Sequence, residues 1–149
     1  MHDALDAIRP ESLSARSERL YREQAGEYPD CPFCEINTGR APATFVHEWS
    51  NAIAIVPLSP VVDGHTLVIP KTHVVDFADD PDVTGATAHR AAQLCRDMGL
   101  VHANLITSRG VHATQSVRHL HLHLVPRAEN DGLALPWWSG KSKRKAPHD

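Results

Sequence analysis

Histidines and leucines alternate near the end of this chain, over residues 119–124 of the segment 118–126. Successive side chains of a β-strand point to opposite faces, so this pattern predicts a strand with one apolar face and one face of imidazoles. The imidazole face consists of three histidines, His119, His121 and His123. The leucine that follows each histidine points the other way, into a core.

Four shorter apolar segments predict the remaining strands of a sheet. They lie at residues 44–47, 51–56, 65–69 and 103–107 and are separated by turn residues. One long helix is predicted from about Thr84 to Met98, because apolar residues repeat there with a helical period. Strands grouped with short links around a single long helix favour an α+β domain, here a mainly antiparallel five-stranded sheet with helix cover.

The chain divides into three predicted segments. Residues 1–30 are polar with sparse apolar positions, which indicates a loosely docked helix or a mobile arm, capped by Ser12 or Ser14. Residues 31–127 form the compact domain. Residues 128–149 form a tail that contains two adjacent tryptophans, Trp137 and Trp138, and a basic end. The tail either packs on its own subunit or approaches the site of a partner subunit.

Composition and charge narrow the classes of function. A chain of 149 residues with a net charge of −3 gives no electrostatic reason to expect nucleic acid as a partner. No apolar run approaches the ~20 residues of a membrane span. The N-terminus lacks the basic and apolar regions of a signal peptide, and three cysteines make no disulfide framework. We therefore expect a cytoplasmic protein without a membrane partner.

The row of imidazoles suits nucleophilic chemistry. Positions on one face of a strand are ~6.5–7 Å apart, too far for three ligands of a single ion. We expect His121 to attack and its neighbours to position it and the group attacked, with phosphorus as the electrophile. The loop 110–116 leads into the strand, and its backbone amides with the Gln115 and Ser116 side chains offer donors for a phosphate, although such small-residue loops are common.

Two cysteines are spaced as half of a zinc site. Cys31 and Cys34 enclose a proline and a phenylalanine, and two more nitrogen or sulfur ligands would complete the site. His73 and one histidine of the triad are the candidates. A redox pair and two unrelated thiols remain alternatives on spacing alone.

The alternation at 119–125 resembles the signature of the histidine triad (HIT) superfamily. Further segments resemble landmarks of that family, in family order: 31–36, which is similar to the usual bacterial start of the domain, 64–73, and 115–117, which is similar to the Hint-like branch. Together they cover about residues 31–127. The resemblance implies the HIT fold and a homodimer whose sheets join.

The resemblance also implies roles for individual residues. The substrate would be a nucleotide or another phosphorylated small molecule, and a nucleotidyl-histidine intermediate would form on His121. The remaining catalytic positions would be His123 at the phosphate, the first triad histidine His119, the fourth histidine His65, and Ser116 near the leaving group. Gln115 would lie near the phosphate, and we expect Gly110 and Ser108, in and before the loop, to bind the substrate as well. A structural zinc would be held by Cys31, Cys34, His73 and His119.

Two positions depart from the family pattern. Pro57 stands where many relatives carry an aspartate that binds ribose hydroxyls, and Ser108 stands where many carry an asparagine. We expect a hydrolase or nucleotidyltransferase acting on nucleoside phosphoramidates or (di)nucleoside polyphosphates. The alternatives are a nucleotide-binding regulatory dimer, which Pro57 favours, and a zinc-stabilised protein-interaction module that uses the tail.

Overall fold

The computed structural model describes residues 11–24 and 27–136. Five strands form one antiparallel sheet: β1 Phe45–Glu48, β2 Ala52–Ile55, β3 Thr66–Pro70, β4 Ala103–Ile106 and β5 Leu122–Pro126. Their order across the sheet is β1-β2-β3-β5-β4. The helices are α1 Leu13–Glu23, α2 Pro32–Asn37 and α3 Pro81–Asp97, with a single 3₁₀ turn at Val111–Ala113. The predicted five-stranded antiparallel sheet with helix cover is confirmed.

The histidine strand is shorter than its sequence pattern predicts. β5 begins at Leu122, so His119 and His121 precede it. The Leu120 N–H donates to the carbonyl of Val74, which lies in the loop after β3 and outside the sheet ladder. The alternation of buried leucines and inward imidazoles nevertheless continues through this irregular segment, because Leu120 packs in a small core beneath the sheet.

The two faces of the sheet are covered by different helices. On one face, Leu122 and Leu124 pack with Val68 against residues of α3. On the other face, the alternate apolar residues of β2 and β3 pack against Cys31 and Phe33 at the start of α2; these residues are Ile53, Ile55, Leu67 and Ile69. Burying each leucine contributes about 1.5–3 kcal/mol, and a slip of one residue would bury imidazoles instead. The register of β5 thus directs its histidine towards α2.

The long helix α3 starts three residues earlier than its apolar period predicts. The Asp80 side chain accepts from the N–H groups of Asp82 and Val83, and Pro81 occupies the first turn, where its missing N–H has no cost. The helix ends at Asp97, and Gly99 follows with a φ of +67°, a conformation that favours glycine.

The N-terminal helix α1 is docked more firmly than its thin apolar stripe predicts. Ser12 caps it, and Ser17 is only 1% exposed against Thr72. Arg16 forms a two-pronged ion pair with Asp80, at 2.9 Å to each carboxylate oxygen. Polar contacts therefore add to the packing of its few apolar residues, of which Leu20 contacts the small core of Val74, Val83 and Leu120.

Other sequence expectations fall beyond the described ranges. The tryptophan pair and the basic end of the tail lie outside the described residues. Within the described ranges, no helix has the length and apolar character needed to cross a bilayer.

Candidate active site and metal cluster

Four predicted metal ligands converge between α2 and the segment before β5. Cys31 caps α2, Cys34 lies in its first turn, His73 follows β3, and His119 precedes β5. The Cys31 Sγ is 3.3 Å from His119 Nδ1, Cys34 Sγ is 3.4 Å from His73 Nδ1, and the two Nδ1 atoms are 3.1 Å apart. All four donor atoms lie within 4.8 Å of one another, and two thiols with two imidazoles are a donor set that tetrahedral zinc takes.

The protonation of the cluster also suits a metal. The Nε2 of His119 lies 2.8 Å from the carbonyl oxygen of Pro70, which only accepts, so Nε2 carries the proton and the Nδ1 lone pair faces the thiols. The hydrogen bond from the Cys34 thiol lowers the pKa of Cys31. The Cys31 thiolate in turn raises the pKa of Cys34. The cluster therefore supplies a thiolate and an imidazole lone pair directed to one point.

The backbone of His119 fixes the tautomer of His121. Its carbonyl oxygen lies 2.8 Å from His121 Nδ1 and can only accept, so Nδ1 carries the proton. The lone pair of His121 is then on Nε2, on the side of the ring away from the backbone. Burial lowers the pKa of His121, which keeps the imidazole neutral and nucleophilic.

A chain of two hydrogen bonds fixes the tautomer of His123. The Val61 N–H donates to His65 Nδ1 at 3.1 Å, so the proton of His65 is on Nε2. That proton is donated to His123 Nδ1 at 2.9 Å, which leaves the His123 N–H on Nε2. Burial, His121 and His65 lower the pKa of His123 to about 4. The site therefore presents one imidazole lone pair, on His121, beside one imidazole donor, on His123.

Phe33 lies between the cysteine–histidine cluster and His121. Its ring makes edge contacts with His119 and with His121, at centroid distances of 5.7 and 5.2 Å. The side chain is buried. No role was predicted for Phe33 from the sequence, although its position between the two cysteines is the signal that could have indicated one. It separates two polar centres with an apolar wall.

Beside these imidazoles lies a cleft of about 850 Å³. His121, His123 and Ser116 line one side of it. The rest of its wall is mainly apolar and includes Pro57 and Leu58, and no carboxylate lines the cleft among the described residues. The volume is that of a small-molecule site.

The structure brings Ser116 to the cleft but not the other residues of the predicted phosphate loop. The Gln115 Oε1 accepts the Gly110 N–H at 2.9 Å, and its Nε2 donates to the carbonyls of Val75 and Val117. Gln115 and Gly110 thus hold the loop together, and Gly110 has a φ of +89°. Neither they nor Ser108 line the cleft, and their phosphate contacts remain a prediction.

Comparison with known proteins agrees with this geometry. A family model, "HIT domain", matches residues 38–130. The chain is 35% identical over 109 residues to the adenosine 5'-monophosphoramidase of Saccharomyces cerevisiae, covering 72% of this chain and 69% of that protein. It is 31% identical over 121 residues to an adenylylsulfatase of Arabidopsis thaliana, covering 78% of this chain and 59% of that protein.

Solved structures share the fold. A zinc-bound histidine triad family protein from Mycobacterium smegmatis is 40% identical, with a TM-score of 0.61, over 70% of this chain and 80% of that one. The HIT fold expected from the sequence is therefore confirmed.

We predict that His123 stays neutral far below the pH at which a free imidazole gains a proton. In a histidine NMR titration, its Cε1–H resonance should show a midpoint near 4, because a second proton would place a buried cation beside two imidazoles. The folded state then binds fewer protons than the unfolded chain between pH ~6.5 and the folded pKa. His123 therefore destabilises the fold progressively as the pH falls through that window.

The His123→Asn variant assigns the resonance, which should be missing from the spectrum of the variant. A His123 midpoint at or above 6.5 would contradict the burial and hydrogen bonding described for this site.

Proposed function

The chain belongs to the histidine triad family, whose HIT domain it contains, and we propose that it is a nucleotide hydrolase or nucleotidyltransferase. It would act at the α-phosphorus of nucleoside phosphoramidates or (di)nucleoside polyphosphates. The observation that carries the proposal is the fixed tautomer of His121, whose Nδ1–H is held by the His119 carbonyl. A neutral imidazole with its lone pair on Nε2, at the edge of a cleft, is an activated nucleophile for phosphorus.

In the first step, the Nε2 lone pair of His121 forms a bond to the α-phosphorus. The bond from phosphorus to the leaving nitrogen or oxygen breaks, and its electron pair goes to the leaving group. Ser116, which lines the same cleft, is positioned as the donor of a proton to that group. His123 donates its Nε2–H to a phosphate oxygen and so offsets the charge that develops there.

In the second step, a water oxygen bonds to phosphorus and the bond to His121 Nε2 breaks. The water proton passes back to the group that protonated the leaving group, so the site returns to its starting state and a nucleoside monophosphate leaves. If a phosphate or sugar phosphate takes the place of water, the same residues perform a transfer. His121 thereby regains its Nε2 lone pair.

We propose further that Cys31, Cys34, His73 and His119 hold a zinc ion. The convergence of two thiols and two imidazoles, with donor atoms within 4.8 Å of one another, supports this, as does the zinc-bound relative. When bound, zinc supplies a structural link between α2 and the segment before β5. His119 then keeps its carbonyl aimed at His121 Nδ1, which is a positioning role in the reaction.

We also expect a cytoplasmic homodimer. β4 is an edge strand of the sheet, and its Leu105 and Ile106 are 44% and 40% exposed. An exposed apolar edge strand is a natural site for a second copy to extend the sheet.

Replacing His121 tests the central proposal. The purified protein should release AMP from adenosine 5'-phosphoramidate, and His121→Ala should lower kcat/KM by about 10³-fold or more, because the nucleophile is lost. The measurement is AMP formation followed by chromatography. His89→Ala removes an exposed imidazole of α3 and is the matched control, which should keep full activity.

Full turnover by His121→Ala would contradict the mechanism. Binding of the nucleotide without any turnover by the wild-type protein would favour the regulatory dimer instead. Absence of both binding and turnover would favour the interaction module.

Substrates lacking ribose hydroxyls test the consequence of the apolar wall. Because no carboxylate lines the cleft among the described residues, removing the 2'- and 3'-hydroxyls should change kcat/KM by about threefold or less. The measurement compares the 5'-phosphoramidates of adenosine and 2',3'-dideoxyadenosine. Pro57→Asp introduces an acceptor for the hydroxyls and should create a preference for the ribonucleotide.

A ~10⁴-fold loss of kcat/KM with the dideoxy substrate, as occurs where a buried site binds a hydroxyl, would contradict this prediction. It would show that another group binds the ribose hydroxyls.

A further inference from the structure

The N-terminal helix α1 lies outside the residues matched by the HIT-domain model, yet its C-terminal end contacts a metal ligand. The Gln24 side chain forms hydrogen bonds with both the backbone N–H and the backbone carbonyl of His73. Its Oε1 accepts the His73 N–H at 2.7 Å, and its Nε2 donates to the His73 carbonyl at 3.0 Å. These bonds join residues 49 positions apart and substitute for the ladder bonds that His73, beyond the end of β3, does not make.

The ring of His73 is held by a second residue of the N-terminal segment. Tyr28 stacks on it with a centroid distance of 3.8 Å and an angle of 13° between the planes. His119 contacts the same ring edge-on, with centroids 4.8 Å apart. In the part of the chain that the structure describes, no hydrogen bond is made by His73 Nε2, whereas His119 Nε2 is bonded to Pro70. Stacking on Tyr28 therefore orients the His73 ring, whereas a hydrogen bond to a carbonyl orients the His119 ring.

The segment that carries Gln24 is itself fixed next to His73. The Ser17 hydroxyl contacts Thr72, and the Thr72 hydroxyl donates to the Ser17 carbonyl in a short hydrogen bond. Arg16 pairs with Asp80 at the start of α3. These contacts hold α1 in place without the help of Gln24 and Tyr28. Gln24, at the end of α1, is therefore positioned next to His73 by the helix.

We propose that Gln24 and Tyr28 form a clamp that holds His73 in its ligating position and slows the loss of zinc. The proposal rests on the zinc assignment made above and is independent of the nucleotidyl chemistry. A ligand in a loop must be ordered for each binding event, and a pre-ordered ligand loses less entropy on coordination. A metal-bound imidazole is also electron-poor, which strengthens its attraction to the π face of a tyrosine.

The rate of zinc release tests the clamp. The full-length protein is loaded with zinc, and release to an excess of a chromogenic chelator is followed by absorbance. Gln24→Ala and Tyr28→Leu should each release zinc about tenfold faster than the wild type, the effect expected for residues that orient a ligand. Tyr28→Phe keeps the stacked ring and should release zinc at the wild-type rate.

A variant on the same helix controls for general loosening of α1. Arg19→Ala removes the ion pairs with Glu11 and Glu23 and touches neither His73 nor its neighbours, so it should not change zinc release. Cobalt substitution adds a spectroscopic test, because the visible bands of tetrahedral Co²⁺ should shift in Gln24→Ala and Tyr28→Leu but not in Tyr28→Phe.

Wild-type release rates in both Gln24→Ala and Tyr28→Leu would overturn the clamp. Equal acceleration by Arg19→Ala would also overturn it, because the effect would then be one of helix stability. A wild-type protein that takes up no zinc would overturn the zinc assignment together with the clamp. Loss of AMP release with normal zinc retention would instead count against the proposed function alone.

Discussion

The structure of the site depends on the three-way junction at His119. Its Nε2–H is bonded to the Pro70 carbonyl, its Nδ1 faces the cysteine pair, and its own carbonyl accepts the Nδ1–H of His121. The side chain is fully buried, so these bonds are made at low dielectric, where an unmade one would cost about 1–3 kcal/mol. One residue therefore fixes the relative positions of the cysteine pair, the end of β3 and His121, the proposed nucleophile.

The remainder of the domain keeps that junction in place from both sides. The leucines of β5 pack towards α3 and fix the register, while Phe33 on α2 fills the space between the cluster and His121. Backbone groups set each tautomer: the Val61 N–H sets His65, and carbonyls set His119 and His121. A backbone N–H only donates and a carbonyl only accepts. The fold therefore determines which nitrogen of each histidine carries the proton. A neutral, pre-oriented nucleophile follows from this arrangement.

Much of this could be predicted from the sequence, because the informative patterns were local. The His–Leu alternation predicted the strand β5, and the spacing of Cys31 and Cys34 predicted two of the four residues in the cysteine–histidine cluster. The departure of His119 from the strand was not predictable, since it depends on a bond between Leu120 and Val74 that joins distant parts of the chain. Gln24 and Tyr28 were missed for the same reason: no short motif relates them to His73.

The central claim is that His121 is a neutral imidazole protonated on Nδ1 and free on Nε2. The most direct test is a long-range ¹H–¹⁵N correlation spectrum of histidine side chains in the ¹⁵N-labelled protein near pH 7, with His121 assigned by comparison with His121→Ala. The account predicts a protonated Nδ1 and an unprotonated Nε2 for this residue. A proton on Nε2, or on both nitrogens, would contradict it, because the lone pair that attacks phosphorus would then be absent.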